Sequence, residues 1–433
     1  MPLTASIDEL LAAATSQQAS AAGVPEGTPA APTTTGRYLV FFKPDATEDQ
    51  IAQYLAGGGT VASTASFDGH AVSFADLGAA EVLRFPLFSA ALLSADAYAS
   101  LNAGSANVAS ADPAGGGGAT ASVPAANPVD FIEAELFFQG TDTDPDAVTS
   151  TSTDFTWGLQ ATAVIRSAQT GNGIKIAVLD TGFDLNHPDF AGRTIISNSF
   201  IAGQAVQDGN GHGTHTAGTA CGPKVPATGL PRYGVAGDAQ MYIGKVLANN
   251  GYGTTSTILA GIQWALAQGV QIVSMSLTVV STPLQSFTNA GTTALAQGTL
   301  LIAAAGNESA RPGTIAPTDA PANSPTVMSV AALDSTLAMA PFSNGGKVEI
   351  AGPGVDVYSS WIAPLNHKND SGTSMATPHV AGIAALWAEY DASLRGQALW
   401  AALTGAAKPT GQPATDVGAG LVKAPVPGGT SAP

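Results

Sequence analysis

The 433-residue chain predicts an α/β protein, a parallel sheet with helices on both faces, preceded by a smaller α+β unit. Three observations carry this reading. Residues 174–179 form a run that is apolar apart from Lys175, the pattern of a strand whose two faces are both covered. Strand-like and helix-like patterns alternate across 155–425, which implies parallel strands joined by helical crossovers. Residues 36–141 read instead as strand, helix, two strands, helix, strand, the order of a small split βαβ, ferredoxin-like domain.

Along the chain, residues 1–35 begin with a helical stretch at 7–14 and then turn to Ser, Ala, Pro and Thr, as an N-terminal extension does. A strand is expected at 38–42. A helix is expected at 47–55, where Thr47 precedes two acids and Ile51 and Leu55 lie four apart. Strands are expected at 61–67 and 70–74 around an Asp68-Gly69 turn, a helix within 88–101 starting near Ser94, and a strand at 129–138. The Gly/Ala/Ser/Pro-rich stretch 103–127, with glycines at 115–118, reads as a flexible insert. Residues 142–154 are rich in Thr, Ser and Asp and read as a linker. Strands follow at 174–179, 239–246, 270–276, 299–304 and 326–331, with helices at 257–268, 288–297 and 376–387, and a short tail at 426–433.

Composition narrows the function. Apolar residues are 45% and charged residues 11%, which suits a large core rather than a disordered chain. The net charge of −17, with no basic block, argues against nucleic acid as a partner. The single cysteine, Cys221, permits no internal disulfide and sits among small residues, as a buried apolar side chain does. Residues 1–22 contain Asp8 and Glu9 and lack a basic n-region, so no secretory signal is read there. No run is long enough for a membrane span.

Three separated motifs supply an acid, a base and a nucleophile. Asp180 closes an apolar strand, where a carboxylate is costly unless it is used. His212, in Gly211-His212-Gly213-Thr214-His215, opens a helix and is the candidate base; a zinc pair with His215 is the competing reading, but no third ligand lies near. Ser374 lies in Gly372-Thr373-Ser374-Met375-Ala376-Thr377-Pro378, at the start of an apolar helix whose unpaired N–H groups favour developing negative charge. His379 is a rival base that more simply packs locally. Asn307, after Ala304-Ala305-Gly306, is the candidate side-chain donor to an oxyanion. Parallel sheets bind ligands at the carboxyl ends of their strands, so Asp180 and Asn307 are expected on one rim.

These motifs together resemble the subtilisin-like serine peptidases (subtilases, peptidase family S8). The resemblance covers about residues 155–425 and includes Lys245-Val246-Leu247, Ser274-Met275-Ser276-Leu277 and Gly418-Ala419-Gly420-Leu421-Val422. The chain order Asp, His, Ser is that of subtilisin itself. The resemblance implies a subtilisin-like parallel sheet, a triad of Asp180, His212 and Ser374, and Asn307 as oxyanion residue. It implies that Gly251, Tyr252 and Gly253 form a substrate-pairing edge, and that Ser276, Leu277, Ala304 and Gly306 wall the pocket for the residue before the scissile bond. Glu308 beside that pocket is a candidate for favouring basic side chains. Thr278 stands where the family has glycine.

Residues 36–141 resemble the family's inhibitor propeptide, through Tyr38-Leu39-Val40-Phe41-Phe42-Lys43, residues 88–93 and residues 129–135. This implies a zymogen that cuts itself within roughly 139–155. The implied activity is a serine endopeptidase acting on polypeptides as a monomer, with its own propeptide as intramolecular inhibitor. The alternative is a subtilase specialised for leader processing or transpeptidation. No cofactor is required. A structural calcium ion is compatible with the family, with Asp189 as its candidate ligand, although the usual calcium loop is missing after Cys221. Propeptide-bearing relatives are mostly secreted, which leaves the location open between secreted and cytoplasmic.

Overall fold

The computed structural model describes residues 32–58, 61–63, 82–103, 128–140, 154–227, 229 and 231–426. The expected helix at 7–14, strand at 70–74, the body of the insert at 103–127, most of the linker at 142–154 and the end of the tail lie outside these residues.

The N-terminal unit contains β1 (Thr34–Phe42), α1 (Glu48–Leu55), β2 (Val61–Ser63), β3 (Val82–Phe85), β4 (Ala90–Leu93), α2 (Ala95–Ala103) and β5 (Val129–Gly140). Its strands lie in the order β5-β1-β4-β3-β2. Neighbours are antiparallel except the parallel pair β2 and β3. The start of α1 follows from Thr47, which exchanges capping hydrogen bonds with Gln50. In β1 the period of two divides the side chains. Val40 and Phe42 pack with Ile51, Leu55, Ala97 and Leu101 of the helices, whereas Leu39 and Phe41 face the opposite way. Two strands, β3 and β4, were not expected. Residues 90–93 are apolar without alternation and 82–85 are broken only by Arg84, which reaches out to Glu48, so the pattern that marks a half-buried strand is missing. The helix near Ser94 does form, from Ala95.

The larger unit begins with α3 (Trp157–Ala161), β6 (Lys175–Asp180), β7 (Ile195–Ser199), α4 (His212–Cys221), β8 (Gln240–Lys245), β9 (Tyr252–Thr254) and α5 (Thr255–Ala267). It continues with β10 (Ile272–Met275), β11 (Leu277–Thr278), α6 (Gln285–Ala296), β12 (Leu300–Ala304), β13 (Met328–Leu333), β14 (Ile350–Pro353) and the hairpin β15 (Val357–Ser360) and β16 (His367–Asp370). It ends with α7 (Thr373–Tyr390), α8 (Gln397–Ala406) and α9 (Ala414–Val417). Seven strands form one parallel sheet, β14-β13-β12-β10-β6-β8-β7.

Both faces of this sheet are apolar. Ala177, Leu179, Val273 and Met275 pack with Ile258, Leu259 and Phe287 of α5 and α6. Ile176, Val178, Ile272 and Ile302 pack with Ala217, Cys221, Val380 and Ile383 of α4 and α7. Each such fully buried Ile or Leu contributes about 1.5–3 kcal/mol over an exposed one. Small residues let the layers approach: a Cβ on Gly382 would stand 2.8 Å from Ala220 O, so α7 seats directly on α4. No helix among the described residues is long and apolar enough to cross a membrane.

The two units meet along β5, which the larger unit flanks with β9 and β11. Its C-terminal end runs antiparallel to β9 on one side, with Phe138 opposite Gly253 and Gln139 opposite Tyr252. On the other side it runs antiparallel to β11, with Gly140 opposite Leu277 and Gln139 opposite Thr278. Two carboxylates fix the docking. Glu133 accepts from the N–H groups of Gln285 and Ser286 at the start of α6. Glu135, fully buried, accepts from Ser256 N–H at the start of α5 and from Arg37 and Thr35 on its own sheet. Each carboxylate thus meets the unpaired donors and positive end of a helix dipole.

Candidate active site

Asp180 is the last residue of β6 and its side chain is fully buried. Its Oδ1 lies 2.6 Å from His212 Nδ1 and accepts from Thr181 N–H at 2.7 Å, and its Oδ2 accepts from Thr216 Oγ1 at 3.0 Å. The carboxylate is therefore met by donors on both oxygens. His212 opens α4. Gly211 before it has φ +114°, a conformation that L side chains rarely adopt, and a Cβ on Gly213 after it would stand 2.3 Å from Gly182 O. The two glycines let the helix start against the end of β6, which puts the imidazole beside the carboxylate.

Asp208 is the residue that motif reading missed. Its Oδ1 accepts from Thr181 Oγ1 and from the N–H groups of Asn210 and Gly211, and its Oδ2 accepts from Thr214 N–H and Oγ1. It holds the turn before α4 and the first helical N–H groups, as an N-capping acid does. The signal was present as an Asp four residues before the helix.

His215 is not paired with His212. Its Nε2 is bonded to the carbonyls of Val357 and Lys368, 2.9 and 3.2 Å away, and so ties α4 to the β15–β16 hairpin. His379 is packed inside α7. Its Nδ1 bonds Met375 O at 2.9 Å, and burial lowers its pKa to about 4, so it stays neutral.

Ser374 lies in the first turn of α7 and is buried. Pro378, four residues on, has no N–H for the Ser374 carbonyl. The hydroxyl of Ser276 donates to that carbonyl instead, at 2.8 Å, and Ser374 Oγ donates back to Ser276 O at 3.3 Å. This reciprocal pair locks the candidate nucleophile to the segment after β10. Asn307 is half-buried. Its Oδ1 accepts from Thr373 N–H at 3.0 Å and Thr373 Oγ1 at 2.8 Å, which turns the NH₂ end of the amide the other way. Gly306 N–H donates to the same Thr373 hydroxyl. Asn307 and Ser374 are thereby fixed to neighbouring residues of one helix turn.

The expected edge residues Gly251, Tyr252 and Gly253, and Leu277 opposite them, flank the end of β5; Gly140 N–H donates to Gly251 O at 3.1 Å. Gly140 lies over the imidazole, since a Cβ there would stand 3.3 Å from His212 Cε1 and Nδ1. A cleft of about 150 Å³ beside it is lined by Gln139, Thr181, Asn210, His212, Asn250 and Tyr252, among others. Ala304 remains in the sheet opposite Val330, whereas Gly306 has left it.

Asp189 does not have the surroundings of a calcium ligand. Its carboxylate accepts from Ala227 N–H and Tyr233 OH, both at 2.8 Å, and meets His367 Nε2 at 2.9 Å. Calcium takes oxygen ligands in place of such donors, so these residues do not fit it. His187 and His367 bring ring nitrogens to within 4.8 Å of the Asp189 carboxylate. Both nitrogens of His187 are engaged, by Asn366 O and Asp189 N–H. Burial works to raise the Asp189 pKa, but the bonds from His367 and Tyr233 outweigh it and hold the carboxyl low. Burial lowers that of His367 against the pull of Asp189. A neutral imidazole therefore donates to an aspartate, and the cluster is a tie between loops.

The model of the Subtilase family matches residues 171–421. The chain is 40% identical to M-protease of Shouchella clausii (strain KSM-K16) over 244 residues, 55% of this chain and 61% of that protein. It is 40% identical to Subtilisin Savinase of Lederbergia lenta over 235 residues, 53% of this chain and 82% of that protein. It is also 40% identical to thermitase of Thermoactinomyces vulgaris over 227 residues, 52% of this chain and 77% of that protein. The match thus spans about three fifths of the length of M-protease. With the family model covering more than half of the sequence, and a parallel sheet that carries Asp180 flanked by the helices that carry His212 and Ser374, the chain belongs to the subtilase family.

Proposed function

We propose that this subtilase is a serine endopeptidase, made as a zymogen that processes itself. The observation that carries the proposal is the 2.6 Å bond between Asp180 and His212 on a helix that packs against the helix bearing Ser374. In this reading Asp180 keeps the Nδ1–H tautomer of His212 and stabilises the imidazolium. His212 Nε2 takes the Ser374 proton as Oγ bonds to the scissile carbonyl carbon. The oxyanion is received by the amide NH₂ of Asn307 and the backbone N–H of Ser374, and the imidazolium returns its proton to the leaving amine. Water then attacks the acyl-enzyme by the same proton path. Substrate enters as an added strand between Gly251–Gly253 and Ser276–Thr278, a mode set by backbone hydrogen bonds that accepts many side chains.

Residues 36–141 act in this reading as an intramolecular inhibitor. What supports it is that β5 occupies both edges of the cleft and ends with Gly140 on the His212 ring. Cleavage falls within roughly 139–155, after which the N-terminal piece stays docked through Glu133 and Glu135 until displaced. The test is Ser374→Ala. The full-length variant is expected to remain uncut, while the parent chain splits and its serine reacts with a fluorophosphonate. Self-cleavage in the variant overturns the proposal.

A further inference from the structure

One buried carboxyl near the cleft has no part in the triad. Asp319 donates its N–H to Ala305 O at 2.9 Å, and the next residue, Ala320, exchanges two backbone hydrogen bonds with Val279. It is therefore clamped between segments 277–279 and 304–306, which flank Ser374 and Asn307. Asp319 is 2% exposed, and its Oδ2 meets no hydrogen-bond donor. Glu308 approaches from the exposed side, with Oε2 accepting from Asn307 N–H at 2.8 Å and Asn344 Nδ2 at 2.6 Å. Both acids converge on Gly306: a Cβ there would stand 2.5 Å from Asp319 Oδ2 and 2.8 Å from Glu308 Oε2. A buried carboxylate oxygen without a donor is costly, so Asp319 keeps a proton and bonds through it to Glu308.

We propose that Asp319, with Glu308 above it, is the anionic floor of the pocket for the residue before the scissile bond, and that it selects lysine or arginine there. This rests on the endopeptidase reading. Glu308 is the charged group facing Asp319 among the described residues. The cations on neighbouring segments, Arg311 and Lys347, are committed to Asp416 and Glu349. Burial, then the Glu308 carboxyl, raise the Asp319 pKa to about 9, so Asp319 is protonated in the empty pocket at neutral pH. An entering ammonium or guanidinium takes the place of that proton, which leaves to solvent. Gly306 lets the Asn344 amide and both acids come close to its backbone, since a Cβ there would stand 2.3 Å from Asn344 Nδ2 as well as close to each carboxyl.

The test compares peptides that differ only in the residue before the cut, Lys or Arg against Phe, using the self-processed enzyme. The parent is expected to favour the basic peptides, with the preference growing as pH rises from about 6 to about 9. Asp319→Asn is expected to lower the Lys-to-Phe ratio of kcat/KM roughly 10–100-fold, the scale of a lost hydrogen bond to a charged group. Benzamidine, a cationic probe, is expected to slow fluorophosphonate labelling of the parent and to lose that effect in Asp319→Asn. A preference for Phe, or a ratio and a benzamidine effect unmoved by the substitution, overturns the pocket assignment. Failure of the parent to label at all overturns the peptidase reading beneath it.

Discussion

On the His212 side of the cleft, Asp180 receives hydrogen bonds on both oxygens from Thr181, Thr216 and the imidazole; on the Asn307 side, Asp319 Oδ2 receives none. Both acids are buried near the carboxyl ends of parallel strands. The difference lies in what completes each of them. Asp180 is completed by its own chain, as a group proposed to position His212 would be. Asp319 is held protonated against Glu308, and the proposal gives the place of that proton to an arriving cation. Burial alone therefore does not define a catalytic carboxyl; the supply of donors distinguishes machinery from recognition.

The largest effect expected on this contrast is Asp180→Asn. It preserves shape but favours the wrong His212 tautomer, and kcat is expected to fall about 10⁴-fold, as in the reference Ser-His-Asp triad. A loss below tenfold, measured on a chromogenic peptide, would remove Asp180 from the positioning role. A second effect concerns stability and is read in the Ser374→Ala background. An unfolded aspartate ionises near 3.8, whereas folded Asp319 holds its proton to about 9. The folded state binds the extra proton between those values, so stability falls as pH climbs through that window. Asp319→Asn removes this slope, and its Tm advantage is expected to widen from about pH 5 to about pH 9. An advantage independent of pH would mean that Asp319 is ionised in the fold. The smallest effect is Thr216→Val, which deletes one of the Asp180 donors. A loss of about 1 kcal/mol, or roughly fivefold in kcat/KM, is expected, with no change in the Lys-to-Phe ratio.

Much of the architecture was legible. The apolar runs at 174–179, 270–276 and 299–304 became β6, β10 and β12, because strands covered on both faces need no alternation and the flanking helices disclosed their context. The same property hid β3 and β4, where short apolar runs stood next to a real helix and merged with it. β7, β14 and the β15–β16 hairpin also went unread: two are short edge strands of the sheet, and the hairpin is half-buried. At the site, the motif residues were readable because their chemistry is local in type. Asp208, Asp319 and the Ser276–Ser374 exchange were not, because their meaning comes from partners brought together by folding. Nothing near Pro378 indicates that a serine 102 positions earlier stands in for its missing N–H. Asp189 shows the reverse case, a position that suits a cation by resemblance but is surrounded here by hydrogen-bond donors.

Cys221 sits on α4, the helix that His212 begins, with its side chain wholly enclosed and its thiol raised by burial to about 11. A thiol-reactive dye therefore has no target until that helix has come away from the sheet. Departure of the general-base candidate from Asp180 and the first appearance of a reactive sulfur become one event. The chain carries a native reporter for the moment its candidate site comes apart, with no second thiol to confuse the signal.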